Sequence, residues 1–386
     1  MCAARARLVK ILQLSKFYPP VRGGIETVAL ELTEGLNARG VQTDVLCAGL
    51  ESRTVIERKH AYTVVRAGSL GRLLSTSMSP ALAWRFMGVR ARYDLVHVHL
   101  PNPMANLALW LARSPSRIVL HWHSDIVNQP RALRLYAPLQ DWLLRRADAV
   151  IATSPAYAEH SPWLQPYQGK VRIVPLGVEQ RRLAHDGPRI AQAADAVRRR
   201  YDGRPIVFAL GRMASYKGFD HLVQVARRMH SDARIVICGG GELLEAHRER
   251  VRVAGLAERI AFVGELPMSD VEAHFAAASA FCLPSQSRAE AFGMVLLEAM
   301  AAGLPIVASD IAGSGVGWVN VDGVTGYNVP VGDDEAMAAA LDRVLGDPAL
   351  AQRLGSAGRE RLERHFSTRA MLDGTLAVYR ELGLAV

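Results

Sequence analysis

The stretch Glu290-Ala-Phe-Gly-Met-Val-Leu-Leu-Glu298 decides how this chain is read, because it sets two carboxylates eight residues apart across a strand-to-helix junction. Before it, Ala280-Phe-Cys-Leu-Pro284 has the length and apolarity of a buried strand. After it, Gly293 to Ala302 reads as a helix stopped by Gly303, and Pro305-Ile-Val-Ala308 as the next strand. A strand, an acid-bearing loop, a helix with a second acid and another strand form a βαβ unit, whose ligands bind beyond the carboxyl ends of the strands. Glu290 falls in that crevice and Glu298 one to two turns down the helix. Taken alone, the segment is equally well explained by a loop acid and a solvated helix acid, since acids are common on helix surfaces.

The same alternation runs along the whole chain and predicts an α/β protein with parallel sheets. Leu8–Ser15 is the first strand, Lys16–Gly24 a loop, and Ile25–Arg39 a helix that Gly40 ends, followed by a strand over Val41–Cys47. Asp94–His99 and Arg117–His123 read as buried strands, each finishing in a His-x-His pair, and Asp148–Ser154 and Val171–Gly177 as two more. Between Val178 and Asp202 the chain turns polar, with Gln180-Arg-Arg182 and Arg198-Arg-Arg200, so the domain linker is placed at its start. Strands resume at Pro205–Gly211, Arg234–Gly239 and Ile260–Gly264, and the C-terminus reads as helices over Asp333–Leu345, Pro348–Arg364 and Thr368–Leu382. The expected domains are residues 1–178, residues 179–366, and a terminal helix over 367–386 that packs back toward the first. Two doubly wound sheets leave a cleft, which is a favoured place for a ligand.

With 386 residues, half of them hydrophobic, the chain has material for more than one core. No apolar run reaches a membrane span, and the N-terminus leads directly into a strand, so a cytoplasmic protein is expected. Cys2, Cys47, Cys238 and Cys282 lack paired or metal-ligand spacing, and the last three lie in apolar runs as reduced core thiols. The net charge of +9 is uneven: residues 1–180 hold 22 basic and 12 acidic residues, and residues 181–386 hold 24 and 25. The basic half suggests an anionic partner there. Of a phosphorylated substrate, an anionic membrane and nucleic acid, nucleic acid is the weakest, for want of any recognition helix, zinc finger or aromatic-basic sheet signature.

Several groups carry chemistry. Gly211-Arg-Met-Ala-Ser-Tyr-Lys-Gly218 follows a strand, so Arg212 and Lys217 should project near its carboxyl end and suit a diphosphate. Gly23-Gly24 precedes a helix, where bare amides favour an anion or simply make a tight turn. No P-loop is present, and Gly239-Gly-Gly241 does not complete a dinucleotide fingerprint. His121 and His123 share one strand face, as do His97 and His99. A metal pair is the lesser reading, because a catalytic metal needs a third ligand and supporting contacts, and no Asp-x-Asp stands ready for a metal-diphosphate. A neutral imidazole donating to a substrate hydroxyl or phosphate is the preferred reading for one of His121 and His123.

Together these pieces resemble the retaining GT-B glycosyltransferases of family 4 over nearly the whole chain. The resemblance rests on Gly-Gly after the first strand, a histidine ending the Trp122 strand, Gly-Arg-x(4)-Lys-Gly at 211–218 and Glu-x-Phe-Gly-x(4)-Glu at 290–298. It implies two Rossmann-like domains facing across a cleft and a nucleotide-sugar donor with no metal or other cofactor. By the same resemblance, Arg212 and Lys217 with the Gly23-Gly24 amides hold the diphosphate. Glu290 and the amides of Phe292, Gly293, Met294 and Val295 then hold the sugar, Glu298 takes the ribose hydroxyls, and the segment from Val263 to Leu266 flanks the base. The chain departs from many members at Ile311-Ala-Gly-Ser-Gly-Val-Gly-Trp-Val-Asn320, where Gly-Gly-x-Pro-Glu is usual. With Trp122–Val127 and Leu135–Leu139, that stretch looks like a bacterial branch moving mannose or D-rhamnose from GDP-sugars onto lipid-linked (polyprenyl diphosphate) saccharides of exopolysaccharide or lipopolysaccharide. The alternatives are a UDP-sugar donor, a nucleotide-sugar hydrolase or epimerase, and a non-catalytic sensor. Arg131, Arg134, Arg145 and Arg146 among Leu133, Leu135, Leu139, Trp142 and Leu143 suggest a basic helix at the inner face of an anionic membrane, or an ordinary helix packed on the sheet.

Overall fold

The structure, a computed structural model, describes residues 9–21, 23–73, 76–127, 129–178 and 187–386. Cys2, Leu8, residue 179 at the expected domain junction and Gln180–Arg182 lie outside the described residues. The chain forms two compact units: Met1–Gly177 together with Thr368–Val386, and Val178–Ser367.

The first unit is built on β1 (Lys10–Ser15), β2 (Gln42–Ala48), β3 (Val55–Arg58), β4 (Thr63–Ala67), β7 (Leu95–Leu100), β8 (Arg117–Trp122), β9 (Ala149–Ala152) and β10 (Val171–Ile173), with β5 (Arg72–Leu73) and β6 (Thr76–Ser77) as a separate hairpin. Its eight strands run in the order β10-β9-β8-β7-β1-β2-β4-β3, all parallel except β3, which pairs antiparallel with β4. The central strands are buried on both faces, as parallel sheets covered on both sides require, with Gln13, His97, His99 and His121 among the side chains of one face of β1, β7 and β8 and apolar side chains on the other. The terminal helix Thr368–Glu381 closes this unit. Leu372 presses on Gly35 of the helix Gly24–Ala38, Thr368 bonds Glu31 at 3.2 Å, and Arg39 pairs with Asp373 at 2.7 Å.

The second unit carries β11 (Ile206–Leu210), β12 (Arg234–Cys238), β13 (Ile260–Gly264), β14 (Ala280–Leu283), β15 (Ile306–Asp310) and β16 (Gly326–Pro330) in the order β13-β12-β11-β14-β15-β16, all parallel. The switch in order falls between β11 and β14, the place where a doubly wound sheet opens its crevice. The expected strands appear to within two residues except over 171–177, where β10 ends at Ile173. The sequence reading did not include β3, β4, the hairpin or β16. β3 is short, exposed and at a sheet edge, the hairpin strands are two residues each, and β16 is an edge strand in a Gly- and Asn-containing stretch with weak strand patterning. Cys47, Cys238 and Cys282 are free and buried.

Candidate active site

In the second unit the 211–218 segment and the 285–298 segment leave neighbouring strands, β11 and β14, and meet. Gly218 has φ +67, and a Cβ there would drive into the Pro284 carbonyl oxygen, so this glycine lets the two segments close. The Gln286 amide donates to the Tyr216 carbonyl at 2.7 Å across the same seam. Lys217 ends a short 3-10 turn with its side chain buried, and its Nζ donates to Glu290 Oε2 at 2.6 Å. Ser285 Oγ donates to the same oxygen at 3.0 Å. Burial pulls the Lys217 ammonium down, but the Glu290 carboxylate more than offsets this and holds it above the ordinary lysine value. Arg212 is exposed and makes no ion pair among the described residues.

The acid loop is held from behind by the stretch that departs from the family pattern. Ser314 Oγ donates to the Glu290 carbonyl, and the Gly315 amide donates to the Ala291 carbonyl at 2.7 Å. Phe292 is buried edge-on against Phe366, with ring centroids 5.9 Å apart, and Trp318 lies 6.3 Å from it. Arg361 caps this platform, donating to the Trp318 and Val319 carbonyls at 2.6 and 3.1 Å. The Phe292 side chain is therefore an anchor, and its backbone is what remains for a ligand. Gly293, at φ 80, is the N-cap of the helix Met294–Ala302. A left-handed turn there aims the first helix amides outward, and these have no intrahelical acceptor. Glu298 lies one turn further along, partly exposed. Burial raises its carboxyl to about 7, against the opposing pull of Lys217. Val263 and Leu266, at and just beyond the end of β13, are both partly exposed.

Among the sequence-chosen residues, then, Lys217 and Glu290 are joined in one buried pair, and Glu298 lies within electrostatic reach. The sequence reading had treated them as separate diphosphate, sugar and ribose contacts. Ser285 and Ser314, which support Glu290, were not anticipated, and a serine in a loop offers no pattern by which to find it.

In the first unit, Gly23 and Gly24 are exposed at the start of the helix Gly24–Ala38. The buried Glu26 carboxyl folds back over Gly23, where a Cβ would collide with it. Burial raises that carboxyl above the ordinary range. The chain's own acid thus occupies part of the helix N-terminus that the sequence reading left for an anion.

His97, His99, His121 and His123 form one cluster on a single sheet face. The register pairs Gln13 of β1 with His97 of β7, and His99 with His121 of β8. Residues paired across parallel strands, and residues two apart on one strand, point to the same side. His121 stacks on His123 with ring centroids 4.2 Å apart at 9°. His97 joins Tyr379 at 2.6 Å and His121 at 3.2 Å, while His99 joins Gln13 Oε1 at 2.7 Å and His123 Nε2 at 2.9 Å. Burial, with smaller repulsions among the rings, holds all four well below the usual histidine value, His121 at about 3. The rings are neutral at pH 7. His97, His99 and His121 also bring one nitrogen each within 4.8 Å of one another, a spacing that a metal ion could draw together. Gln13 and Tyr379 were not in the sequence reading, although a glutamine inside the apolar run Ile11–Leu14 was a signal for the first.

The helix Pro130–Arg146 divides the residues assigned to a membrane face. Leu143 is buried, Arg145 pairs with Asp141, and Arg146 turns inward to the Ser114 and Ser116 carbonyls at 3.1 and 3.0 Å. Arg131, Arg134 and Leu135, 88% exposed, remain at the outer surface. Among the described residues no helix is long and apolar enough to cross a membrane.

Residues 191–361 match the family described as Glycosyl transferases group 1, and residues 23–177 the Glycosyl transferase 4-like domain. The chain is 32% identical over 375 residues to O-antigen chain mannosyltransferase C of Escherichia coli, covering 97% of this chain and 99% of that one. It is 30% identical over 362 residues to the D-rhamnosyltransferase WbpZ of Pseudomonas aeruginosa, covering 93% and 92%. Among solved structures, sucrose-phosphate synthase from Thermosynechococcus elongatus superposes with a TM-score of 0.80 at 25% identity, covering 98% of this chain and all of that one.

Proposed function

We propose, from the premise that this chain belongs to family 4 of the GT-B glycosyltransferases, that it moves a mannosyl or D-rhamnosyl group from a GDP-sugar to a lipid-linked saccharide with retention of anomeric configuration. The acceptor is a polyprenyl-diphosphate saccharide of exopolysaccharide or lipopolysaccharide synthesis. The observation that carries this reading is similarity over more than nine-tenths of the chain to two proteins named as a mannosyltransferase and a D-rhamnosyltransferase.

The barrier to such a transfer lies in expelling a nucleoside diphosphate from an oxocarbenium-like centre. Arg212, exposed and unpaired, and the two Lys217 protons not given to Glu290 supply positive charge for the leaving diphosphate, with no metal or other cofactor taking part. Glu290 is not the nucleophile: one oxygen already accepts from Lys217 and Ser285, which spends its charge and leaves the other oxygen for a sugar hydroxyl. The helix amides from Phe292 to Val295 hold the donor sugar, Glu298 accepts from the ribose hydroxyls, and Val263 and Leu266 flank the base. Within the first unit, Gly23 and Gly24 offer amides to an anion once Glu26 moves aside, and His123, with His121 stacked on it, meets a substrate hydroxyl. The departing phosphate takes the acceptor's proton. Arg131, Arg134 and Leu135 touch an anionic leaflet at the inner face of the cytoplasmic membrane.

A thermal-shift panel of GDP, UDP, ADP and their sugars tests the donor, since a ligand at 100 times its Kd stabilises by about 2.7 kcal/mol. GDP and GDP-mannose should give the largest shifts; a larger shift with UDP overturns the base assignment. Donor turnover measured with and without lipid-linked acceptor separates transfer from hydrolysis or epimerisation, which need no acceptor. A glycosyl adduct trapped on Glu290 would reverse its role. Sedimentation with anionic liposomes that shows no salt-sensitive binding removes the membrane contact.

A further inference from the structure

Gln13 Oε1 accepts only, so the 2.7 Å contact makes His99 the tautomer protonated at Nε2. His99 Nδ1 is then a bare lone pair, and the 2.9 Å contact with His123 Nε2 requires the proton to sit on His123 Nε2. His123 is therefore left with an unprotonated Nδ1. It is also the one ring of the four with any accessible surface, 7% against 0% for the others. Its Nε2 faces inward to His99, so the polar atom toward the surface is Nδ1. His121, parallel to it at 4.2 Å, fixes the plane of the ring.

We propose that Gln13 and His99 are positioning residues which set the tautomer of His123, so that His123 presents a hydrogen-bond acceptor to a substrate hydroxyl and does not donate to a phosphate. This rests on His123 meeting substrate, and it changes what that residue selects: a hydroxyl-bearing group at this point is favoured, and an anion is repelled by the lone pair. The groups acting on His123 are His121, His99 and His97, with Tyr379 beyond His97 on the terminal helix, and no carboxylate is among them. A neutral amide at the end of the chain therefore fixes the proton positions without adding charge, which a carboxylate in its place would not do.

A metal held by the cluster is the competing explanation. It is the poorer one, because a dication would sit among neutral rings with no anion to offset its burial, whereas the two short nitrogen contacts are each satisfied by one shared proton.

Nitrogen NMR of 15N-histidine-labelled, ligand-free protein at pH 7.5 reads the tautomers directly and needs no donor or acceptor. The expected result is Nε2–H with bare Nδ1 for both His99 and His123. Gln13→Leu should scramble both tautomers and lower kcat roughly tenfold, with KM changed less than kcat. Gln13→Glu keeps an acceptor in place, so it should restore the tautomers while raising the pH at which activity falls on the acid side. A proton on His123 Nδ1 in the unmodified protein, unaltered His99 and His123 signals in Gln13→Leu, or four rings that shift together when a chelator removes a metal found by elemental analysis would each overturn the proposal. If the tautomers are as stated but His123→Ala leaves turnover unchanged, the chain of bonds stands and the substrate contact fails.

Discussion

The two units solve the same problem, polar groups buried beside a ligand face, in opposite ways. The second unit keeps charge inside as an ion pair: Lys217 and Glu290 at 2.6 Å, each side chain 10% exposed. The first unit buries four imidazoles, which burial keeps neutral, and it links them to one another, to Gln13 through His99 and to Tyr379 through His97. Charge that must change during a reaction is cheapest where charge is already organised. Under the proposed function, the second unit would meet the leaving diphosphate and the first a neutral hydroxyl. The contrast also gives Glu298 and the histidine cluster opposite responses to acid.

The largest test strikes the ion pair. Lys217→Ala should lower kcat about 10²–10³-fold, because one organised contact to developing charge contributes roughly 3–4 kcal/mol. It should also cost about 3–5 kcal/mol of stability, since Glu290 is left buried and unpaired. Glu290→Gln keeps an acceptor for Nζ but leaves the Lys217 ammonium buried without a counter-charge, so both stability and activity should fall. A kcat loss below tenfold in a folded Lys217→Ala protein sinks the assigned role.

Glu298 comes next. Its folded-state pKa, raised to about 7 by burial, lies above the unfolded value, so the fold holds the proton more tightly. Its contribution to stability is fully present below about pH 4.5 and is lost as pH rises through 7, a swing of about 3 kcal/mol. Glu298→Gln should remove that swing, raising the melting temperature at pH 8 while weakening nucleotide binding. Under the proposed ribose role of Glu298, nucleotide affinity of the unmodified protein should rise from pH 6 to 8, because ionisation makes both carboxylate oxygens acceptors. Equal melting temperatures of the two proteins at pH 8 would remove this account of Glu298.

The histidine cluster predicts the reverse trend. Its folded-state pKa values lie below the unfolded value near 6.5, so the unfolded chain takes up protons first and stability falls as pH drops through 6.5. His121 alone, at about 3, should contribute about 2 kcal/mol of destabilisation by pH 5. Hydrogen exchange between pH 7 and 5 should therefore show β7 and β8 losing protection before β11 and β14. Simultaneous loss in both units would erase the contrast.

The smallest effect is expected at Tyr379→Phe, which removes the hydroxyl bound to His97 but keeps the ring. A loss of about 1 kcal/mol should follow, with the acid limb of activity unmoved, because this thread does not include His123. An altered activity profile would mean that the two threads are one network.

How far the site could be read from the sequence depended on the kind of signal. Glu290, Gly293 and Glu298 were legible because their spacing is fixed by a strand, a turn and a helix that local periodicity reveals. Arg212 and Lys217 were legible for the same reason. Gln13 carried a weaker signal, a polar residue in an apolar strand, whose meaning needed β1 beside β7. Tyr379 carried none: it lies 282 residues from His97 in sequence, and only the docking of the terminal helix brings them together. The departure at 311–320 is visible in the sequence, but that Ser314, Gly315 and Trp318 brace the acid loop follows only from the fold.

By itself the sequence determined the alternating α/β order, the turn glycines and the carboxylates at the ends of strands, because these follow from the 2.0 and 3.6 residue periods of a single segment. The tertiary structure decided which charges are paired, which imidazoles are neutral and which nitrogen of His123 faces outward. Protonation and pairing depend on burial and on partners from distant segments, and no local period encodes those.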